Sequence, residues 1–249
     1  MKLGVIADIH GNSLSLKLVL DELRADACDS IICLGDIAVL GPDPSGSIAL
    51  VREYAPATTV LGNVDRWLVN RLDDAELHET ATVELRELAA WSLERIDPDD
   101  LAWLETLQLT GGFAVPGPAH LLAFHGSPRS NDDVISRTTP ESEFVELLPD
   151  SDVHFAIGGH THIQMDCRFG STMMVNPGSV GLPGVGPGTP DLPVNRDVAW
   201  AEYAVLTIDE ADHSIDLRRT GIDLPAMLEW AKATGMPAFD WWRAKWRSD

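Results

Sequence analysis

Short apolar runs alternate with amphipathic stretches through the first part of the chain. Leu3 to Ala7 reads as a buried strand. Leu14, Leu18, Val19, Glu22 and Leu23 then fall at the spacing of an amphipathic helix. Ser30 to Leu34 and Thr58 to Leu61 predict the second and third strands. From about Arg66 to Leu107 the period becomes helical, carried by Leu85, Leu88 and Ala89 and later by Leu101 and Leu104. Pro98 stands early in the second of these helices, with Asp97 before it as N-cap. Strand-like runs return at Leu121 to Phe124, Val153 to Ile157, Met173 to Val175 and Val198 to Ile208. Strand–helix–strand order predicts an α/β fold, in which ligands gather at the carboxyl ends of strands.

Those strand ends are where the chemistry lies. Asp8-Ile9-His10, Gly35-Asp36, Gly62-Asn63-Val64-Asp65, His125-Gly126 and Gly159-His160-Thr161-His162 each follow a strand-like run. They supply two aspartates, one asparagine and four of the eight histidines in the chain. Imidazole, carboxylate and amide oxygen together suit a divalent cation of borderline hardness. Seven such side chains exceed the needs of one ion, so the set points to two ions sharing a ligand. Asp8 and His10, one residue apart, point to the same side of an extended segment. Singly, each residue has a plainer reading: Asp8 or Asp36 capping a helix, Asn63 in an Asx turn, His125 or His160 as a satisfied core histidine.

In their order, these five motifs resemble the calcineurin-like metallophosphoesterases, most closely the small bacterial and archaeal phosphodiesterase branch. Gly41-Pro42-Asp43-Pro44, His125-Gly126-Ser127-Pro128 and Asn176-Pro177-Gly178-Ser179-Val180-Gly181-Leu182-Pro183 are further phrases typical of that branch. The resemblance covers residues 1–210. It implies a two-sheet β-sandwich flanked by helices, with a small helical cap inserted at about 66–110, and leaves 211–249 as a C-terminal extension. It also implies two divalent ions (Mn, Fe, Zn, Co or Ni). Asp8, His10 and His162 would hold the first, Asn63, His125 and His160 the second, and Asp36 would bridge them. Because His160 and His162 are sent to different ions, a turn is needed there, for which Gly158-Gly159 offers backbone freedom. The implied reaction is in-line attack on phosphorus by a hydroxide held between the ions, with Asp36, Asn63 and His125 at the reacting centre. The natural substrate stays open among small phosphate esters. A phosphomonoesterase, a protein phosphatase or a non-catalytic scaffold of the same fold are the alternatives.

One position departs from the family pattern. Most relatives carry a histidine after the third-motif asparagine, a group that can protonate the leaving oxygen; this chain has Val64. A positioned general acid contributes about 10²–10⁴-fold, and its loss matters least for leaving groups that are already stable anions. Asp65 is then free to pair with Arg66 or to cap a helix. His78, in the cap region, is either a substitute acid or a surface residue. Asn12, Arg129 and Arg196 are candidate substrate contacts; the two arginines serve equally well as surface ion-pair partners. Arg196 lies in Leu182 to Asp197, a stretch rich in proline and glycine that reads as a rim over the site.

Charge narrows the partners. The formal net charge is −21, with only four lysines (Lys2, Lys17, Lys232 and Lys245). Long nucleic acids would be repelled, while two divalent ions would leave the site itself locally positive. Cys28, Cys33 and Cys167 are odd in number and lack metal-knuckle spacing, so Cys33 reads as a buried thiol. No signal-like leader and no run of 18 apolar residues occurs, and the expectation is a soluble cytoplasmic protein without membrane partners. Phe239, Trp242 and Trp246 fall at helical spacing beside Trp230 and Trp241. Such a stripe packs against its own domain or, if exposed, forms a homodimer surface.

Overall fold

The computed structural model describes residues 1–249 except 56–57, 80, 149–151, 185–198, 211 and 247–249, and the side chain of residue 76. In chain order the elements are β1 (Lys2–Ile6), α1 (Ser13–Ala25), β2 (Ser30–Cys33), α2 (Pro44–Tyr54), α3 (Asn63–Val69), α4 (Ala75–Glu79), α5 (Val83–Leu93), α6 (Pro98–Leu104), β3 (Thr110–Ala114) and β4 (His120–Phe124). They continue with α7 (Glu141–Leu147), β5 (Phe155–Ile157), β6 (Met165–Phe169), β7 (Thr172–Asn176), β8 (Trp200–Ile208), β9 (His213–Gly221), α8 (Leu224–Ala233) and α9 (Phe239–Arg243).

Among the described residues the strands form two mixed sheets, ordered β2-β1-β8-β9 and β3-β4-β5-β7-β6. β1 and β2 run parallel, as do β4, β5 and β7, while the remaining pairs are antiparallel. The expected two-sheet sandwich flanked by helices is therefore the fold. Alternate residues of facing strands fill its interior: Leu3 and Val5 from β1, Leu121 and Ala123 from β4, Ala204 and Leu206 from β8. The opposite face of the first sheet packs on helices through Ile6, Leu16, Val19, Leu20 and Leu23. Phe124, Phe144 and Phe169 do the same for the second sheet against α7. Parallel strands aim their carboxyl ends to one edge, and that edge carries every candidate ligand loop.

Several elements differ in detail from the sequence reading. In α1 the buried stripe is Leu16, Val19, Leu20 and Leu23, while Leu14 and Leu18 face solvent. Asn12 caps that helix by accepting from the Ser15 amide at 3.1 Å. The third strand reduces to single parallel bridges, Cys33 with Thr59 and Val60 with Gln108. Asp97 holds the N-cap position of α6, yet its side chain makes no capping hydrogen bond there. β9 pairs with β8 along its whole length, so the sheet continues past residue 210. Trp242 and Trp246 are 1% and 8% exposed and pack against Leu88, Trp91, Leu224 and Met227 of the same chain. The exposure on which a tryptophan homodimer surface depended is thus absent from these two side chains. Among the described residues no helix is long and apolar enough to cross a membrane.

Candidate metal centre

Local backbone geometry builds the centre first. Asp8, His10, Asp36, His160 and His162 all have positive φ, between 50° and 68°. Left-handed backbone is costly for residues with a Cβ and persists where surrounding structure enforces it, typically at functional sites. The extended segment expected around Asp8 and His10 is therefore a tight turn instead. It is held by hydrogen bonds from the amides of Asp8, His10 and Gly11 to the carbonyls of Gly35, Asp36 and Ile37. The predicted turn at His160–His162 is present, but the left-handed torsions fall on the two histidines. Gly158 and Gly159 serve close packing: a Cβ on Gly158 would meet Phe124 Cε2 at 2.6 Å, and one on Gly159 would meet Asp8 Oδ2 at 3.0 Å. Gly62 is similarly confined, since a Cβ there would stand 2.1 Å from the Asp36 carboxylate.

The seven candidate side chains converge in two groups. Asp8, His10, Asp36 and His162 offer ligand atoms within 4.8 Å of one another, and Asp36, His125 and His160 form a second such group. Asn63 joins the second, its Oδ1 lying 3.0 Å from His125 Nε2. Asp36 belongs to both: its Oδ2 is 3.7 Å from His10 Nε2 and 3.4 Å from His125 Nε2. Its other oxygen accepts the Val64 amide at 3.0 Å. All seven are buried.

The donor set fits divalent ions on a structural test. Nδ1 of His10, His125 and His162 lies 3.1, 2.7 and 2.8 Å from the carbonyls of Val39, Leu34 and Leu182. An Nδ1–H donated to a carbonyl leaves Nε2 as the ligating nitrogen, the usual arrangement behind metal-bound histidines. His10 Nε2 and His162 Nε2 then face each other at 2.9 Å. Two lone pairs at that distance repel unless a shared proton or a metal ion lies between them, and nitrogens bound side by side to one ion at ~2.0–2.1 Å stand a comparable distance apart.

Electrostatics separate the histidines. Burial pushes His10 down to about 4 and His160 likewise down to about 4, so both rings are neutral at pH 7. Burial acts against charge on His125 as well, but Asp36 and Asp8 beside it push its pKa up to about 10. Burial would raise the two carboxylates; His162 and His125 outweigh it at Asp8, and His125 and His10 at Asp36, holding both below the ordinary range. Asp65 goes the other way, pushed up to about 7 by burial and by neighbouring Asp36.

Asp65 is a residue whose part the sequence reading missed. It neither pairs with Arg66 nor caps α3. Its carboxylate accepts the Ile37 amide at 2.9 and 3.1 Å and the Ala38 amide at 3.3 Å, gripping the turn that carries Asp36. Arg66 instead bonds Asp74 and Asp132. Asn176 and Ser179, within a phrase quoted only for its resemblance, also acquire tasks. Asn176 Nδ2 donates to Gly159 O at 2.7 Å and Thr161 Oγ1 at 3.0 Å; Ser179 Oγ donates to Asp8 O at 2.6 Å.

The candidate substrate contacts fare differently. Asn12 is 1% exposed, with Oδ1 committed to α1 and Nδ2 to Gly181 O and Met227 Sδ, so it is a strut and not a substrate contact. His78 stands exposed on α4, 3.9 Å from Asp73. Arg129 is exposed just beyond the His125 loop. Arg196, with most of the predicted rim, lies outside the described residues. Val64 is 5% exposed and packed in the core with Trp67 and Leu68, so that position presents hydrocarbon only.

Residues 1–210 match the profile of the calcineurin-like phosphoesterase superfamily domain. An uncharacterized protein of Methanocaldococcus jannaschii is 24% identical over 243 residues, spanning 91% of this chain and 90% of its own. Among solved structures, a metallophosphoesterase from Sphaerobacter thermophilus matches with a TM-score of 0.72 at 24% identity, over 98% of this chain and 99% of that one. A hypothetical protein from Pyrococcus horikoshii matches with a TM-score of 0.77 at 19% identity, over 95% of this chain and 94% of that one. At these identities the structural likeness speaks for a shared fold.

Proposed function

The chain belongs to the calcineurin-like phosphoesterase superfamily, and from that premise we propose that it is a phosphodiesterase working with two divalent ions held by the two ligand groups. The observation that carries the reading is Asp36 Oδ2, which faces His10 of one group and His125 of the other at 3.7 and 3.4 Å. Asp8, His10 and His162 would hold one ion, Asn63, His125 and His160 the other. When bound, such a pair supplies Lewis acidity, lowering the pKa of water and neutralising charge on phosphoryl oxygens.

The chain's own groups set the rest. Carbonyls of Val39, Leu34 and Leu182 keep three imidazoles in the ligating tautomer. Asn63, with Oδ1 turned to the centre, keeps Nδ2–H as a donor for a phosphoryl oxygen. Val64 offers no proton to the leaving oxygen, which favours esters whose leaving group is already a stable anion. The formal charge of −21 disfavours long nucleic acids, which supports a small phosphodiester as the substrate.

Hydrolysis of bis-p-nitrophenyl phosphate by chelator-stripped protein, with Mn²⁺, Zn²⁺ or Ni²⁺ added back, tests this reading. Metal-restored turnover that disappears in Asp36→Ala is the expected result. A clear preference for the monoester p-nitrophenyl phosphate would overturn the diester assignment. Absence of turnover despite tight metal binding would favour the scaffold alternative.

A further inference from the structure

The helices beyond residue 210 pack against segments that flank the first ligand group. α8 and α9, with the turn after them, bring Leu224, Met227, Ala231, Trp242 and Trp246 into a buried cluster that includes Leu182 and has Leu40 packed against it. Leu40 directly follows Val39, whose carbonyl holds His10, and Leu182's own carbonyl holds His162. A polar tie runs alongside: Asn12 Nδ2 donates to Met227 Sδ at 3.2 Å and to Gly181 O at 3.4 Å. The Gly181 amide in turn donates to Asp8 O at 3.0 Å. Asp8, His10 and His162 therefore all rest on backbone that the C-terminal helices brace from behind. The second group rests on other supports. His125 bonds the carbonyl of Leu34, a residue of the sandwich interior, and Asp36 is held by Val64 and the Asp65-gripped turn.

We propose that the C-terminal helices, through Met227 and Trp242, selectively set the affinity of the Asp8–His10–His162 group for its ion. Met227 and Trp242 are positioning residues: they touch no ligand atom and act on the segments that carry the ligands' carbonyl partners. The helices lie beyond the residues matched to the family profile, within the 98% of the chain that aligns with the Sphaerobacter thermophilus structure. The inference rests on the two-ion reading above.

Calorimetric titration of the chelator-stripped full chain with Mn²⁺ tests it in two backgrounds. His125→Ala isolates the first group, and His162→Ala isolates the second. Changes behind metal ligands typically cost ~10–100-fold in affinity, so Met227→Ala and Trp242→Ala should each weaken the first group about 10-fold and the second less than about 2-fold. Met227→Leu keeps the packing and should recover most of the loss. Should Trp242→Ala fail to fold, Trp242→Phe carries the same comparison. Phe144→Ala, which empties an equally buried aromatic site on the far face of the other sheet, should change neither affinity whatever it does to the melting temperature. Equal weakening of both groups, or no weakening of the first, overturns the proposal. Wild-type protein that takes up fewer than two ions contradicts the two-ion reading itself, whereas two ions with unselective variants contradicts this inference alone.

Discussion

In the first ligand group His10 and His162 face each other across 2.9 Å, whereas in the second His125 faces Asn63 at 3.0 Å and Asp36 at 3.4 Å. His10 is held neutral, with a pKa near 4, while His125 is pushed up to about 10. At neutral pH His125 therefore carries a proton that an ion entering the second group must displace, whereas His10 in the first group has none to release. The supports differ as well, C-terminal helices behind one group and sheet interior behind the other.

The largest effects should come from breaking one group at a time. His162→Ala and His125→Ala should each lower the Mn²⁺ content from two ions per chain to one, read by metal analysis after gel filtration. Because metal charge stabilisation amounts to several kcal/mol, each should cut diester turnover on the order of 10³-fold. Either variant retaining two ions would show that the groups are not separable.

An intermediate effect is expected at Asp65, which serves the ligand common to both groups. Asp65→Ala strands the buried amides of Ile37 and Ala38, and an unsatisfied buried donor costs about 1–3 kcal/mol. Urea unfolding should register that loss, and Mn²⁺ affinity should fall for both groups together. Asp65→Asn keeps an acceptor and should be milder. Lost stability with both affinities unchanged would assign Asp65 to the fold alone.

The smallest effect is a proton. Unfolded His125 loses its proton near 6.5 and the native one near 10, so its contribution to stability is complete below about pH 6.5 and is lost as pH rises through about 10. Metal entering the second group must release that proton. At pH 8, titrations of His162→Ala in buffers of different ionisation enthalpy should report about one proton released, and those of His125→Ala about none. Equal release from both would erase the electrostatic contrast.

Much of this arrangement was legible in the sequence, because ligands at strand ends follow from two simple periods. Apolar runs located β1, β2, β4, β5 and β7, and five short motifs located all seven converging side chains. What was hidden has a common cause. The supporting contacts join residues far apart in sequence through backbone groups that carry no side-chain signature. Asp65 grips Ile37 and Ala38, and Leu182 holds His162, through main-chain amides and a carbonyl. The left-handed torsions at Asp8 and His10 were equally hidden, and at His160–His162 the turn was expected but the residues that take its left-handed torsions were not. Asn12 looked like a substrate contact beside the first motif; its cap to α1 is local, but its bond to Met227 depends on a helix more than two hundred residues away.

On the proposed reading, one carboxylate, Asp36, would join two ions into a single centre. Electron paramagnetic resonance of the protein loaded with Mn²⁺ tests it most directly, because ions about 3.5–4 Å apart through a shared ligand couple their spins. A coupled signal in the wild type that collapses in Asp36→Ala is the expected result. An uncoupled six-line spectrum from wild-type protein carrying two Mn²⁺ would contradict it.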